Sequence, residues 1–107
     1  MGDVVRLVRP GAVARGRVEP LWRQGLGRQL RAERGRRGER ISDVAQRAGV
    51  SPQYLSELER GKKDPSSEIL SALAGALEVS VAHLTLSTGQ RLAARANPGS
   101  GPVCLAA

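Results

Sequence analysis

Apolar positions along the chain follow a helical rather than a strand period. After Pro20, Trp22, Leu26 and Leu30 recur every four residues and therefore share one helix face. Arg34 continues the same stripe, and Gly35 and Gly38 then weaken and end the helix. A second helix is predicted from about Ile41, with Ile41, Val44, Ala45 and Ala48 forming a narrow apolar stripe and Gly49 stopping it. Ser51 is a good N-cap for a third helix, and Pro52 suits its first turn, where a missing N–H costs nothing. Leu55 and Leu58 face inward there, and Gly61 closes the helix before the loop Lys62-Lys63-Asp64-Pro65. Ser66 or Ser67 caps a fourth helix with Ile69, Leu70, Leu73, Ala74 and Leu77 on its apolar face. Ser80 caps a short fifth helix holding Val81 and Leu84. Beyond Leu86 the pattern dissolves, apart from a brief helical stretch at Gln90–Ala96.

This pattern predicts an all-α domain of five helices over residues 21–86, flanked by two tails. Residues 1–20 have no helical period. Val4–Val8 could form a short strand but has no partner strand, so the segment reads as a flexible basic arm. Residues 87–107 read as a flexible C-terminal tail. A chain of 107 residues has room for one modest core.

Charge narrows the function. The formal net charge is +7 and the sequence pI is about 11.2, a balance that suits a polyanionic partner. Residues 21–63 carry a net +6, against +2 for residues 1–20 and −1 for residues 64–107. The excess therefore belongs to one stretch, as expected if one face of a domain meets phosphates. Cys104 is the only cysteine, so no internal disulfide can form, and a reducing cytoplasm is expected. One histidine and one cysteine, far apart, do not make a metal site, and no cofactor is expected. The longest apolar runs fall short of the roughly 18 residues a membrane helix needs. Met1–Val8 is too broken by charge for a secretory signal. His83 sits near apolar residues without a nucleophile or partner, so it reads as a helix-surface or core-edge histidine and no enzyme is expected.

Two short helices joined through Ala45-x-x-x-Gly49 carry a specific geometric meaning. Ala45 is small where the helices cross, Gly49 reverses the chain without strain, and Val50 plugs the gap between them. The second helix of such a pair projects its polar side outward, where it can enter a major groove.

The stretch Leu26-Gly27-Arg28-Gln29-Leu30-Arg31-Ala32-Glu33-Arg34 resembles the first helix of the Cro/C1-type, lambda-repressor-like helix-turn-helix regulators. Val44-Ala45-Gln46-Arg47-Ala48-Gly49-Val50-Ser51 resembles their helix-turn-helix, and Leu55-Ser56-Glu57-Leu58-Glu59-Arg60-Gly61-Lys62 the end of their recognition helix. Leu73-Ala74-x-x-Leu77-x-Val79 resembles the fourth helix and its exit. Two positions depart from that pattern. Arg40 stands where a capping Ser or Thr is usual, so the second helix is expected to fray or to be capped by Ser42. Glu33 stands where an apolar residue is common, which predicts looser packing there.

The resemblance implies double-stranded DNA as the partner, met by a homodimer on half-sites about one helical turn apart. It assigns Arg34 and Glu59 to an internal ion pair between the first and the recognition helix. That reading is favoured over a DNA contact for Arg34, because a lone buried guanidinium is costly. Gln53 matches a base-reading position, and its amide suits adenine N6 and N7. Glu57 either accepts from a cytosine amino group or pairs on the surface with Arg60 or Arg47. Arg60, Lys62 and Lys63, with Arg40 and Arg47 on the second helix, are expected at phosphates. Ser51, Pro52, Tyr54 and Ser56 complete the expected DNA-facing set.

The terminal Leu105-Ala106-Ala107 resembles a degradation tag read by Clp proteases. The segment Ser51–Glu68 also resembles actinobacterial activators of Clp protease genes, regulators that commonly end in two alanines. The expected function is thus a cytoplasmic DNA-binding regulator acting on Clp genes, with RNA polymerase and the Clp machinery as candidate partners and no membrane association. The alternative is an antitoxin that autoregulates its own operon.

Overall fold

The computed structural model describes residues 21–96. The expected N-terminal arm, Cys104 and the terminal Leu105-Ala106-Ala107 lie outside the described residues. Five helices make up the described part: α1 over residues 21–36, α2 (Ile41–Ala48), α3 (Pro52–Glu59), α4 (Ser67–Leu77) and α5 (Val81–Ala96). No strand occurs among the described residues.

Each start has a local cause. The Ser51, Ser66 and Ser80 hydroxyls accept from the backbone N–H groups of Tyr54, Ile69 and His83, at 3.0, 3.2 and 2.9 Å. Helix α2 starts differently. Asp43 Oδ2 reaches back to accept from the Arg40 N–H at 3.0 Å, so Asp43 rather than Ser42 secures that end.

Four helices end alike. After α1, α2 and α3, a glycine in the left-handed region (Gly38, Gly49 and Gly61) lets two backbone N–H groups turn back onto carbonyls of the last turn. Helix α4 closes with the same bonds, Glu78 N–H to Gly75 O at 3.1 Å and Val79 N–H to Ala74 O at 2.9 Å, but with Glu78 at φ 60°. A side chain in that conformation costs about 1 kcal/mol or more.

Among the described residues the buried hydrophobic cluster is aliphatic throughout. Leu26 and Leu30 of α1, Val44 and Ala45 of α2, Leu55 and Leu58 of α3, Leu73, Ala74, Ala76 and Leu77 of α4, and Leu84 of α5 form one buried cluster. Ala45 is fully buried at the helix crossing, and Val50, Ile41 and Tyr54 pack against the cluster from its rim. Helices α4 and α5 are set at 99° to each other, and no single described helix is long and apolar enough to cross a membrane.

Two expectations need correction. The fifth helix is not short but runs unbroken through 16 residues, so residues 87–96, expected in the tail, are helical. Thr88 explains the misreading. It is buried, and its hydroxyl donates to the Leu84 carbonyl at 2.7 Å, so it serves as an apolar residue in a stripe Leu84, Thr88, Leu92. That stripe seats on α1 at Gly25, where a Cβ would lie 3.3 Å from Thr88 and 3.4 Å from Leu92.

Packing at Glu33 is also not loose. The residue is 3 % exposed, and its carboxylate accepts from Gln29 Nε2 at 2.7 Å and from Arg36, with His83 Nε2 at 2.6 Å. Burial pushes this carboxyl up, but the hydrogen bonds from Arg36, His83 and Gln29 outweigh it and hold the group below its ordinary range.

Replacing Glu78 by Gly should stabilise the protein by about 1 kcal/mol, since only glycine enters the left-handed region without steric cost. The ion pair lost with Arg37 is exposed and worth little. A thermal melt showing no gain would mean that Glu78 is unstrained.

Candidate nucleic-acid interface

Helices α2 and α3 meet through Gly49 at φ 75°, the left-handed turn of a helix-turn-helix. Helix α3 is only eight residues long, too short to persist alone. Its position is therefore imposed by what it packs against. Leu55 and Leu58 enter the core. Its C-terminal end lies directly on α1, and a Cβ at Gly27 would sit 2.5 Å from the carbonyl oxygens of Leu58 and Glu59. No larger residue fits at that contact without moving a helix.

Beside that contact lies an ion pair. Arg34 donates from Nε to Glu59 Oε2 at 2.7 Å and from Nη2 to Glu59 Oε1 at 2.9 Å. Its third nitrogen, Nη1, donates to the Glu39 carbonyl at 3.0 Å. The side chains are 18 % and 6 % exposed. The hydrogen bonds to Glu59 raise the Arg34 pKa against the opposing effect of burial. One guanidinium thus joins α1, the α1–α2 loop and the end of α3. A bidentate pair of this kind fixes direction as well as distance. Arg23 adds a second tie, pairing with Asp64 beyond α3 at 3.1 Å.

A second arginine cluster secures α2 to α4. Arg47 donates to the Ala76 carbonyl from Nε at 3.1 Å and Nη2 at 2.9 Å, and Nη2 also meets Glu39 at 2.5 Å. Arg37 binds the same Glu39 carboxylate at 2.8 Å and reaches Glu78 at 3.2 Å. Hydrogen bonds from Arg47 and Arg37, outweighing burial, hold Glu39 at a pKa of about 2. Arg47 is expected at a phosphate, and its side chain stays 41 % exposed. Its guanidinium is committed to a carbonyl in the last turn of α4, where a cation is favoured by the helix dipole.

What remains outward on α3 and after it is mixed in character. Gln53, Arg60, Lys62 and Lys63 are exposed, with Ser51 and Pro52 at the start of the helix. Ser56 is half-exposed, and Tyr54 is half-buried against the core. The Ser51 hydroxyl is occupied as the N-cap. Glu57 pairs with Lys63 at 3.4 Å rather than with either arginine expected for it. Arg40 is exposed, with its guanidinium 3.5 Å from Asp43. Gln53, Ser56 and Arg60 fall at i, i+3 and i+7 and so share one face of α3, and neither Arg60 nor Lys62 makes an ion pair with any described residue.

Several of these positions carried no readable signal. Glu39, the hub of the second cluster, sits in a loop between charged residues and looks like any solvated acid. Gly27 did carry one, because a glycine inside a helical stripe often marks a close approach, here of α3. Among the described residues no group of three or more His, Cys, Asp or Glu is placed to hold a metal.

Residues 25–86 match a family model described as a helix-turn-helix domain. The chain is 42% identical over 83 residues to the transcriptional regulator ClgR of Mycobacterium tuberculosis, covering 73% of this chain and 74% of that protein. It is 45% identical over 56 residues to the HTH-type transcriptional regulator DdrOP3 of Deinococcus deserti, covering 52% of this chain and 43% of that one. The crystal structure of the clp gene regulator ClgR from Corynebacterium glutamicum superposes with a TM-score of 0.71 at 40% identity, over 81% of this chain and 93% of that chain. The restriction-modification controller protein C.AhdI from Aeromonas hydrophila superposes with a TM-score of 0.57 at 27% identity, over 58% of this chain and 94% of that one.

Arg34→Ala should destabilise the fold by about 3 kcal/mol, because it strands the Glu59 carboxylate in a largely buried position. A melting temperature equal to that of the parent would show that water compensates the carboxylate.

Proposed function

The chain belongs to the Cro/C1-type helix-turn-helix family and is a DNA-binding transcriptional regulator related to ClgR; on that premise we propose that it regulates Clp protease genes, as an activator. The observation that carries this reading is the extended similarity to proteins named as ClgR and as clp gene regulators, which runs through α3 and its flanks. The protein acts by binding, not by catalysis, and in the cytoplasm, where bacterial DNA lies. No observation favours the antitoxin reading.

In this proposal α3 lies in the major groove. Gln53 reads an adenine edge, and Ser56 lies beside it. Pro52 and the backbone at Ser51 approach the sugar-phosphate chain, with Tyr54 at the edge. Arg60, Lys62, Lys63 and Arg40 neutralise phosphates, which positions the protein without reading sequence. Glu57 is kept from repelling the backbone by Lys63 and meets a cytosine amino group when that lysine turns to a phosphate. One such domain buries little surface, so a homodimer on paired half-sites supplies the specificity. Activation implies contact with RNA polymerase.

Turnover completes the proposal. Leu105-Ala106-Ala107 serves as a tag for the Clp machinery, so that the regulator is consumed by the protease it induces.

On clp promoter fragments, Gln53→Ala should cost about 1–3 kcal/mol and alter preference at one base pair, whereas Lys62→Ala should weaken clp and random duplexes alike. Titrations in which the two variants lose the same affinity on both duplexes would overturn the assignment. Failure of the parent protein to prefer clp promoters over random DNA would remove the gene target while leaving DNA binding standing. Changing Ala106 and Ala107 to Asp should lengthen the half-life in cells, and an unaltered half-life would dispose of the tag.

A further inference from the structure

The side of α1 turned away from the recognition helix holds a second cationic surface. Gly25 faces α5 while Gly27 faces α3. Two residues along a helix turn about 200°, so α5 and α3 lie on opposite sides of α1. Between α1 and α5 runs a cleft of about 280 Å³, floored by Leu21, Gly25 and Leu92 and edged by Arg28, Arg91 and Arg95. It continues past Arg91 into an open, polar depression beside Gln29, Arg36 and His83.

Charge there is one-sided. Helix α5 contains no acidic residue, and Glu33 is the one acid of α1. Glu33 is buried and already held by Gln29, Arg36 and His83. Arg28 and Arg95 are exposed and make no ion pair with any described residue. Arg91 is aimed along the cleft because its Nε donates to Gln29 Oε1 at 2.7 Å. An apolar floor edged by three guanidinium groups, one of them held in place by Gln29, suits a particular ligand chemistry.

We propose that the α1–α5 cleft docks an acidic segment of another protein, one apolar side chain entering above Leu92 while flanking carboxylates meet Arg28, Arg91 and Arg95. Duplex DNA is a poor occupant. A duplex lying on α3 is on the other side of α1, and an apolar recess offers nothing to a phosphate backbone. A second copy packed symmetrically on this face would set arginine against arginine, which like-charge repulsion opposes. The site is therefore independent of DNA reading, and a DNA-bound regulator can hold its partner at the same time.

The test uses the full chain and a fluorescein-labelled helical peptide of Ala and Glu with a single central Leu. Saturable binding is expected, and excess random duplex DNA leaves it intact. Arg28→Glu combined with Arg95→Glu should weaken the peptide about tenfold or more while DNA affinity stays within about twofold. A peptide with Ser in place of Leu should also bind more weakly. Amide shifts on peptide addition should cluster at Gly25, Arg91 and Leu92. Displacement of the peptide by DNA, equal binding by the charge-reversed variant, or shifts centred on Gln53 and Lys62 would each overturn the proposal.

Discussion

The Arg34–Glu59 pair, with the contact of α3 on Gly27, fixes the direction in which α3 points. Eight residues do not hold a helix together in water, and two leucines alone leave it free to roll on the core. The bidentate bond removes that freedom because both nitrogens must stay in the plane of the carboxylate. It also ties the pose of α3 to that of α1 and to the loop that starts α2. The desolvation of both charges is offset only while all three bonds persist, so the arrangement is close to all-or-none. A recognition helix needs that rigidity, since base edges are read at hydrogen-bond precision.

Arginine does three separate jobs here, and the net charge conceals the division. Of the nine arginines in residues 21–63, Arg23, Arg34, Arg36, Arg37, Arg40 and Arg47 stand in ion pairs. These mostly close helix ends and tie elements together. Arg60 stands with Lys62 at the end of α3, on the proposed DNA side. Arg28 lies across α1 on the cleft with Arg91 and Arg95. The concentration of charge in one stretch of sequence therefore does not map onto one face. It is split between ion pairs within the domain and two surfaces that α1 keeps apart.

Much of this fold was legible because helix ends are written in local chemistry. Ser51, Pro52, Gly49 and Gly61 specify their turns through atoms within a few residues, and the leucine spacing specifies the inner faces. What escaped depends on partners distant in sequence. Thr88 looks polar until its hydroxyl finds its own helix, and only then does α5 read as one continuous stripe. Arg47 looks like a free surface cation until α4 ends beneath it. Glu33 looks misplaced in a core until Gln29, Arg36 and His83 converge on it. In each case a polar side chain gained a partner that pattern alone does not place. The outward set on α3 was the easier part, since Gln53, Ser56 and Arg60 fall on the helix face opposite Leu55 and Leu58.

The central claim is that α3 is held so that its polar side enters the major groove. Dimethyl sulfate protection on a bound promoter duplex tests this most directly, because the reagent marks guanine N7 in the major groove and adenine N3 in the minor groove. Protection of guanine N7 at successive half-sites, with adenine N3 still reactive, is the predicted outcome. Protection confined to adenine N3, or retained shift of the duplex with no protected guanine, would contradict it.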